Sequence, residues 1–196
     1  MIAGPYIALV VGYLLGSIPF GLLLTRLSGK GDLRAIGSGN IGATNVLRTG
    51  SKPLAATTLI LDALKGTLAV VLAQQYWPEA VNYAAAGALI GHLYPVWLKF
   101  RGGKGVATLL GILAPLFWQA AIIYAVVWIG LLIAVRISSV AGMAAAASAP
   151  VAAAIGGERA LFPMLLAFAL LIIWKHRENV QRLKAGTEPR VGRAKG

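Results

Sequence analysis

Three stretches of this sequence set side chains that can bind or move charge among glycines. Residues 37–48 read Gly-Ser-Gly-Asn-Ile-Gly-Ala-Thr-Asn-Val-Leu-Arg. Ser38, Asn40, Thr44 and Asn45 offer donors and acceptors, Gly39 bares the backbone, and Arg48 can fork onto two oxygens of a phosphate. Residues 91–108 hold Arg101, Gly102, Gly103, Lys104 and Gly105 between two apolar runs. Backbone N–H groups in such a loop can converge on an anion beside two cations. The third stretch opens Lys175-His176-Arg177-Glu178-Asn179, an imidazole, an acid and an amide set among bases. Together these residues suit recognition of a phosphate with acid–base groups close by. Each stretch also has a plainer reading: a helix-capping loop for the first, a basic turn that fixes membrane topology for the second, and for the third an anchor to anionic lipid worth ~1 kcal/mol per basic residue. A cap needs fewer polar groups than residues 37–48 provide, and an anchor has no use for His176, Glu178 and Asn179.

Two further features carry charge inside apolar runs. His92, beside Gly91, is an ionisable group at or just inside a membrane boundary, which makes it a functional-site candidate. Asp62 and Lys65, at i and i+3 of one helix, can pair and partly neutralise each other, which gives them an orienting role. Other chemistries are excluded. Gly-Ser-Gly-Asn-Ile-Gly fits G-x-G-x-x-G, but no strand precedes it and no βαβ unit is available, so it is not a dinucleotide fingerprint. The 99–105 loop is not a Walker A motif, since Leu98 stands where its first glycine belongs and Gly105 follows Lys104. There are no cysteines, the two histidines lie far apart and acids are scarce, so no metal centre and no cofactor are predicted.

The elements that must position these groups are membrane helices. The 196 residues are 58% hydrophobic and only 12% charged, with a mean hydropathy of +0.77, far from the soluble average. An all-α, polytopic helix bundle follows, built as a single membrane domain over 1–196. The first run lacks a basic leader and a cleavage pattern, so it reads as a retained helix. Expected spans are 2–27, 53–75 and 81–98, then two short helices within 106–135 broken near 115–119, then 138–155 and 161–174. The net charge of +12 falls on the loops at 28–52 and 99–105 and on the tail at 175–196. By the positive-inside rule this gives seven helices, the N-terminus outside and the tail cytoplasmic, with Arg159 the one cation in an outer turn. Gly- and Ala-rich runs such as 141–154 predict close helix packing. Charge parity brings the three polar stretches to one face.

At those stretches the chain resembles the bacterial acyl-phosphate:glycerol-3-phosphate acyltransferases, an integral membrane family. The resemblance rests on Ser38-Gly39-Asn40 with Gly42 to Arg48, on Gly91-His92 with Pro95-Val96 and Phe100 to Thr108, and on His176-Arg177-Glu178-Asn179 with Arg182-Leu183, Gly186 and Glu188. Ser17, Pro19 and Gly21 and also Asp62, Lys65 and Gly66 match two further family patterns. The His-x-x-x-x-Asp pair of other acyltransferases is absent: Trp97 and Gln181 stand where the Asp would be. The resemblance implies acyl transfer from acyl phosphate, not acyl-CoA or acyl carrier protein, to the sn-1 hydroxyl of glycerol 3-phosphate. The products are lysophosphatidic acid and inorganic phosphate, formed at the cytoplasmic face of the bacterial plasma membrane among its lipids, with no nucleic-acid partner. On that reading Ser38, Gly39, Asn40, Thr44, Asn45, Arg48, Gly102, Gly103, Lys104, Gly105 and Arg177 bind substrate or phosphate. His92, Lys104, His176, Glu178 and Asn179 serve catalysis, with His92, His176 or a substrate phosphate as the base. Ser17, Asp62 and Lys65 are structural. A transporter of a phosphorylated metabolite would also want basic loops, but it would line a path to the outer face and show an inverted repeat, and here the polar groups crowd onto one side. A scaffold with a lipid-binding tail leaves both glycine-rich loops unused.

Overall fold

The computed structural model describes residues 3–192. Ile2, which opens the first expected span, and Arg193 and Lys195 of the basic tail lie outside them. The described residues are helical, with no strand among them, and divide into two compact units, one ending at Leu116 and the other beginning at Phe117.

The first unit contains α1 (Gly4–Gly16), α2 (Phe20–Leu27), α3 (Ala43–Leu47), α4 (Lys52–Tyr76), α5 (Val81–Leu93) and α6 (Val106–Leu116). The first expected span is therefore broken. Pro19 has no amide hydrogen and disfavours the helical region for the residue before it, and α1 accordingly stops at Gly16 while α2 starts at Phe20. Carbonyls freed by a break within lipid need donors. The Lys65 ammonium supplies one to the Ile18 oxygen at 2.8 Å, and the Trp97 indole N–H donates to the Ser17 oxygen at 2.8 Å. α4 begins close to the expected position: the Ser51 hydroxyl accepts from the Leu54 amide at 3.4 Å, and Pro53 occupies the first turn, where its missing N–H removes no helical bond.

α5 departs furthest from expectation. It is expected over 81–98 but ends at Leu93, because Pro95 cannot continue a helix, and Tyr94 before it is non-helical, at φ −140° and ψ 58°. Its 13 residues span about 20 Å and the 11 of α6 about 16 Å, each less than the ~30 Å hydrocarbon core. α1 lies on α5 backbone to backbone: a side-chain carbon on Gly12, Gly16 or Gly87 would collide with the carbonyl of Ala84, Ala88 or Leu9 respectively. Such approach supplies the van der Waals contact that holds helices together in lipid. α6 lies equally close to α4, where Gly66 abuts the Thr108 carbonyl, Gly111 abuts that of Ala63, and the Thr67 hydroxyl donates to the Gly111 oxygen at 2.8 Å. α5 therefore ends, and α6 begins, level with the middle of α4.

The second unit contains α7 (Trp118–Val135), α8 (Ser138–Ile155), α9 (Phe162–Lys175) and α10 (Arg177–Lys184). The run 106–135 does divide inside 115–119, with Phe117 non-helical at φ −157° and ψ 82° between α6 and α7. α8 packs on both α7 and α9, through wholly buried Ala141, Ala145, Ala146 and Ala149. The segment after α9, read from the sequence as a polar tail, forms α10. Among the described residues four stretches are long and apolar enough to cross a membrane, Gly4–Leu27, Lys52–Tyr76, Trp118–Val135 and Ser138–Ile155, with α6 and α9 as shorter apolar helices.

Candidate functional site

Residues 37–48 are organised around one buried amide. Asn45 is 2% exposed. Its Nδ2 donates to the carbonyls of Leu33 and Ile36 at 3.0 and 2.9 Å, and its Oδ1 accepts from the Ser38 amide at 3.1 Å, with the Ser38 hydroxyl and Arg48 Nη1 each at 3.4 Å. These bonds engage both ends of the Asn45 amide within the protein. In the structure the residue is a strut, because α3 turns it toward the preceding loop. Asn40 is likewise committed, its Oδ1 accepting from the Gly42 amide at 2.9 Å in a turn that opens α3. Gly37, at φ +56°, leaves room that a side chain would take from Arg48. The underside packs Leu33, Ile41 and Val46 on Leu22 of α2 and Ala55 of α4. Ser38, Thr44 and Arg48 remain exposed. Nearby, hydrogen bonds from the side chain and amide of Arg34 and from Arg26 hold the Asp32 carboxyl well below the usual carboxylate range.

The second loop is fastened to the end of α5. The Phe100 amide donates to the Pro95 oxygen, Gly102 to Leu93 and Gly103 to His92, at 3.0, 3.2 and 3.0 Å. The last two satisfy carbonyls that a helix C-terminus leaves open. The Gly102 and Gly103 amides, expected to face a phosphate, are bonded here to the end of α5. Glycine is required there for another reason: a side-chain carbon at 102 would strike the His92 carbonyl, and one at 103 its imidazole. Lys99 and Phe100 occupy the left-handed region at φ 52° and 61°, each at a cost of about 1–2 kcal/mol. Lys104 is half-buried and Gly105 takes φ +86°.

His92, expected at the membrane boundary, lies level with the middle of α4, 4% exposed beneath Gly103. Its Nδ1 is 3.7 Å from Asp62 Oδ1, which accepts from Lys65 Nζ at 2.6 Å. The expected Asp62–Lys65 pair therefore forms, and the fold adds His92 and the Ile18 carbonyl to it. Ser17 is buried at the end of α1, its hydroxyl facing Gly91.

In the second unit His176 is buried, with Nδ1 2.8 Å from the Ile172 carbonyl. A carbonyl only accepts, so the Nδ1 proton is fixed there at the end of α9. Arg177 stacks over the Trp174 ring at 5.3 Å, and Arg177 and Glu178 are exposed. Asn179 Nδ2 donates to Glu188 Oε1 at 2.6 Å, Ser139 Oγ donates to the same oxygen at 2.7 Å, and Arg182 Nε donates to Oε2 at 2.8 Å. Glu188, its side chain 5% exposed, was quoted in the motif but not read as a site residue. An acid amid the tail's bases was the available signal. Burial pushes its carboxyl up, yet the bonds from Ser139, Asn179 and Arg182 outweigh that and leave it below the usual carboxylate range. A carboxylate lowered by folding contributes stability above its unfolded pKa, about 4.3, and loses it as pH falls through the folded value. Protection from hydrogen exchange in residues 177–192, taken relative to the intrinsic rate at each pH, is accordingly expected to fall as pH drops below about 4. Glu188→Ala is expected to weaken tail docking by about 2 kcal/mol at neutral pH, measured by the same exchange.

Within the first unit, then, the structure gathers two glycine-rich loops and a buried charged group, and within the second an imidazole cap and an amide–carboxylate–guanidinium cluster. The glycerol-3-phosphate acyltransferase family profile matches residues 6–186. The chain is 55% identical over 196 residues to a glycerol-3-phosphate acyltransferase of Mesorhizobium japonicum, covering 100% of both chains. It is 54% identical over 197 residues to one of Rhodopseudomonas palustris, again covering 100% of both. It is similar to the crystal structure of PlsY, an integral membrane glycerol 3-phosphate acyltransferase, in its glycerol 3-phosphate form: TM-score 0.91, 36% identity, 96% of each chain covered. The lysophosphatidic acid form gives TM-score 0.88 and 35% identity, covering 96% of this chain and 95% of that one.

Proposed function

The chain belongs to the glycerol-3-phosphate acyltransferase family, and on that premise we propose that it moves a fatty acyl group from acyl phosphate to the sn-1 hydroxyl of glycerol 3-phosphate. It is an integral membrane acyltransferase, as its apolar helices and its solved relatives support. The proposed setting is the bacterial plasma membrane. The whole chain acts there as one acyltransferase, seven helices place the N-terminus outside, and the polar loops and tail face the cytoplasm, where the Lys and Arg residues concentrate.

The observation that carries the reading is the pair of rigid, cation-bearing glycine loops in the first unit. Both proposed substrates bear a phosphate, so two such loops have two uses. Arg48 and Ser38, exposed on a loop braced by Asn45, suit one phosphate, with Asn40 and Thr44 shaping the edge. Lys104, between Gly103 and Gly105, suits the other. The sn-1 oxygen attacks the acyl carbon, the carbon–oxygen bond to phosphate breaks, and inorganic phosphate departs with the electron pair. Acyl phosphate already carries a good leaving group, so the protein has mainly to align the hydroxyl, stabilise the developing oxyanion with Lys104, and let the hydroxyl proton go. Donation from Nδ1 to the Ile172 carbonyl makes Nε2 the basic nitrogen of His176, so His176, His92 and a phosphate oxygen of a substrate stand as the three candidate bases. Glu178 and Arg177 are assigned to orient the acceptor, and Asn179, held by Glu188, to shape the same segment.

Purified protein in detergent, given acyl phosphate and glycerol 3-phosphate, should release inorganic phosphate and form lysophosphatidic acid. Product from an acyl thioester instead, or no product from a folded sample, would sink the donor assignment. Replacing each histidine by Gln and following kcat against pH tests the base: near-normal rates in both variants support substrate-assisted transfer, and loss of one limb of the profile in either returns that histidine to the role.

A further inference from the structure

We infer that Asp62, Lys65 and His92 are positioning residues that tie the two glycine-rich loops of the first unit to a common buried strut, and so set the distance between the groups those loops present. The inference rests on the reading of the loops as phosphate sites.

An ion pair within a membrane helix is costly, and apolar side chains would fill the same space without that cost. The contacts of this pair indicate its use, because they reach backbone at breaks in the helices. Lys65 Nζ holds Asp62 Oδ1 at 2.6 Å and the Ile18 carbonyl at 2.8 Å, and lies 5.7 Å from the Phe20 ring. It thereby fixes the point where α1 gives way to α2. Three residues beyond Ile18, Gly21 abuts the Ile41 carbonyl and the Thr58 side chain, so the seat of α2 is also the seat of residues 37–48. In the other direction Asp62 Oδ1 stands 3.7 Å from His92 Nδ1, longer than a hydrogen bond, so the carboxylate and the imidazole are packed neighbours and a shift of one displaces the other. The His92 ring lies under Gly103 and its carbonyl accepts the Gly103 amide. The height of the 99–105 loop, and with it Lys104, follows from where His92 stands.

The test is a double-mutant cycle on the full-length protein in detergent: Asp62→Asn, Lys65→Met and the two combined. The single variants strand a buried group and are expected to lose stability. The double variant is neutral in pairs and carries the test if the singles fail to fold. It leaves no buried charge but takes the Lys65 donor from the Ile18 carbonyl, so it is expected to elute like the wild type with a somewhat lower melting temperature, to lose about a hundredfold in kcat/KM for glycerol 3-phosphate, and to show faster hydrogen exchange in peptides covering 37–48 and 99–108 but not 138–155. Gly103→Ala, with the pair intact, should accelerate exchange over 99–108 alone. If the double variant regains wild-type kcat, KM and loop exchange, the pair merely balances charge and the inference is overturned. Failure of the phosphate reading is distinguishable: it would appear as Lys104→Ala and Arg48→Ala leaving kcat and KM unchanged, while loop exchange in the double variant would still decide for or against the strut.

Discussion

Lys104→Ala is expected to lower kcat about a hundredfold to a thousandfold, the usual cost of removing one group that stabilises developing charge in a water-poor site. Arg48→Ala is expected instead to raise KM about tenfold to a hundredfold, corresponding to the 1.5–3 kcal/mol of a hydrogen bond to a charged group. The contrast follows from their settings. Lys104 is half-buried and follows Gly103, whose amide is bonded to the end of α5, so the backbone that carries it is fixed before substrate arrives. Arg48 is exposed and joined to Asn45 by a single long contact, which suits capture of a phosphate more than charge stabilisation during reaction. Phosphate release measured against each substrate in turn separates the two. The substrate whose KM shifts in Arg48→Ala identifies the phosphate held by residues 37–48. Rates within about threefold of wild type in both variants would remove the loops from the chemistry altogether.

Helix type and most helix positions were legible because apolar length and charge parity are properties of composition along the chain, and parity pointed to a break within 106–135. The early end of α5 was not. Residues 94–98 continue the apolar run, and only the backbone rule at Pro95 marks the stop. The interruption of the first span at Pro19 has the same cause. Pairing of Asp62 with Lys65 could be read from i, i+3 spacing, but the Ile18 carbonyl that shares Lys65 could not, since that acceptor exists only because α1 is broken. At residues 102 and 103 the need for glycine was legible but its close neighbour was not. Open backbone serves an anion or a close neighbour equally well in sequence, and the neighbour here is His92.

Asn45→Asp, which changes one atom and no volume, is expected to be among the most damaging substitutions on the loop. The atom lost is the donor that serves two carbonyls, Leu33 and Ile36, at a residue 2% exposed. An ionised carboxylate would face both oxygens with no proton. A protonated one could satisfy only one of them, and each buried carbonyl left without a donor costs roughly 1–3 kcal/mol. The new charge would also draw Arg48, already 3.4 Å from Oδ1, into an ion pair and away from substrate. The melting temperature in detergent should fall, and the KM for glycerol 3-phosphate should rise by about tenfold or more, as in Arg48→Ala. Asn45→Ala separates the two effects, because it removes the strut without supplying a charge to capture Arg48: its stability should fall comparably while its KM rises less. Had Asn45 been a substrate ligand, Asn45→Ala would show wild-type melting and an impaired KM, the reverse of the pattern expected for a residue whose amide is spent holding its own loop. The sequence could not choose between these roles, since a strut and a ligand draw on the same residue types. α3, at five residues, is too short for periodicity to reveal which way its side chains face.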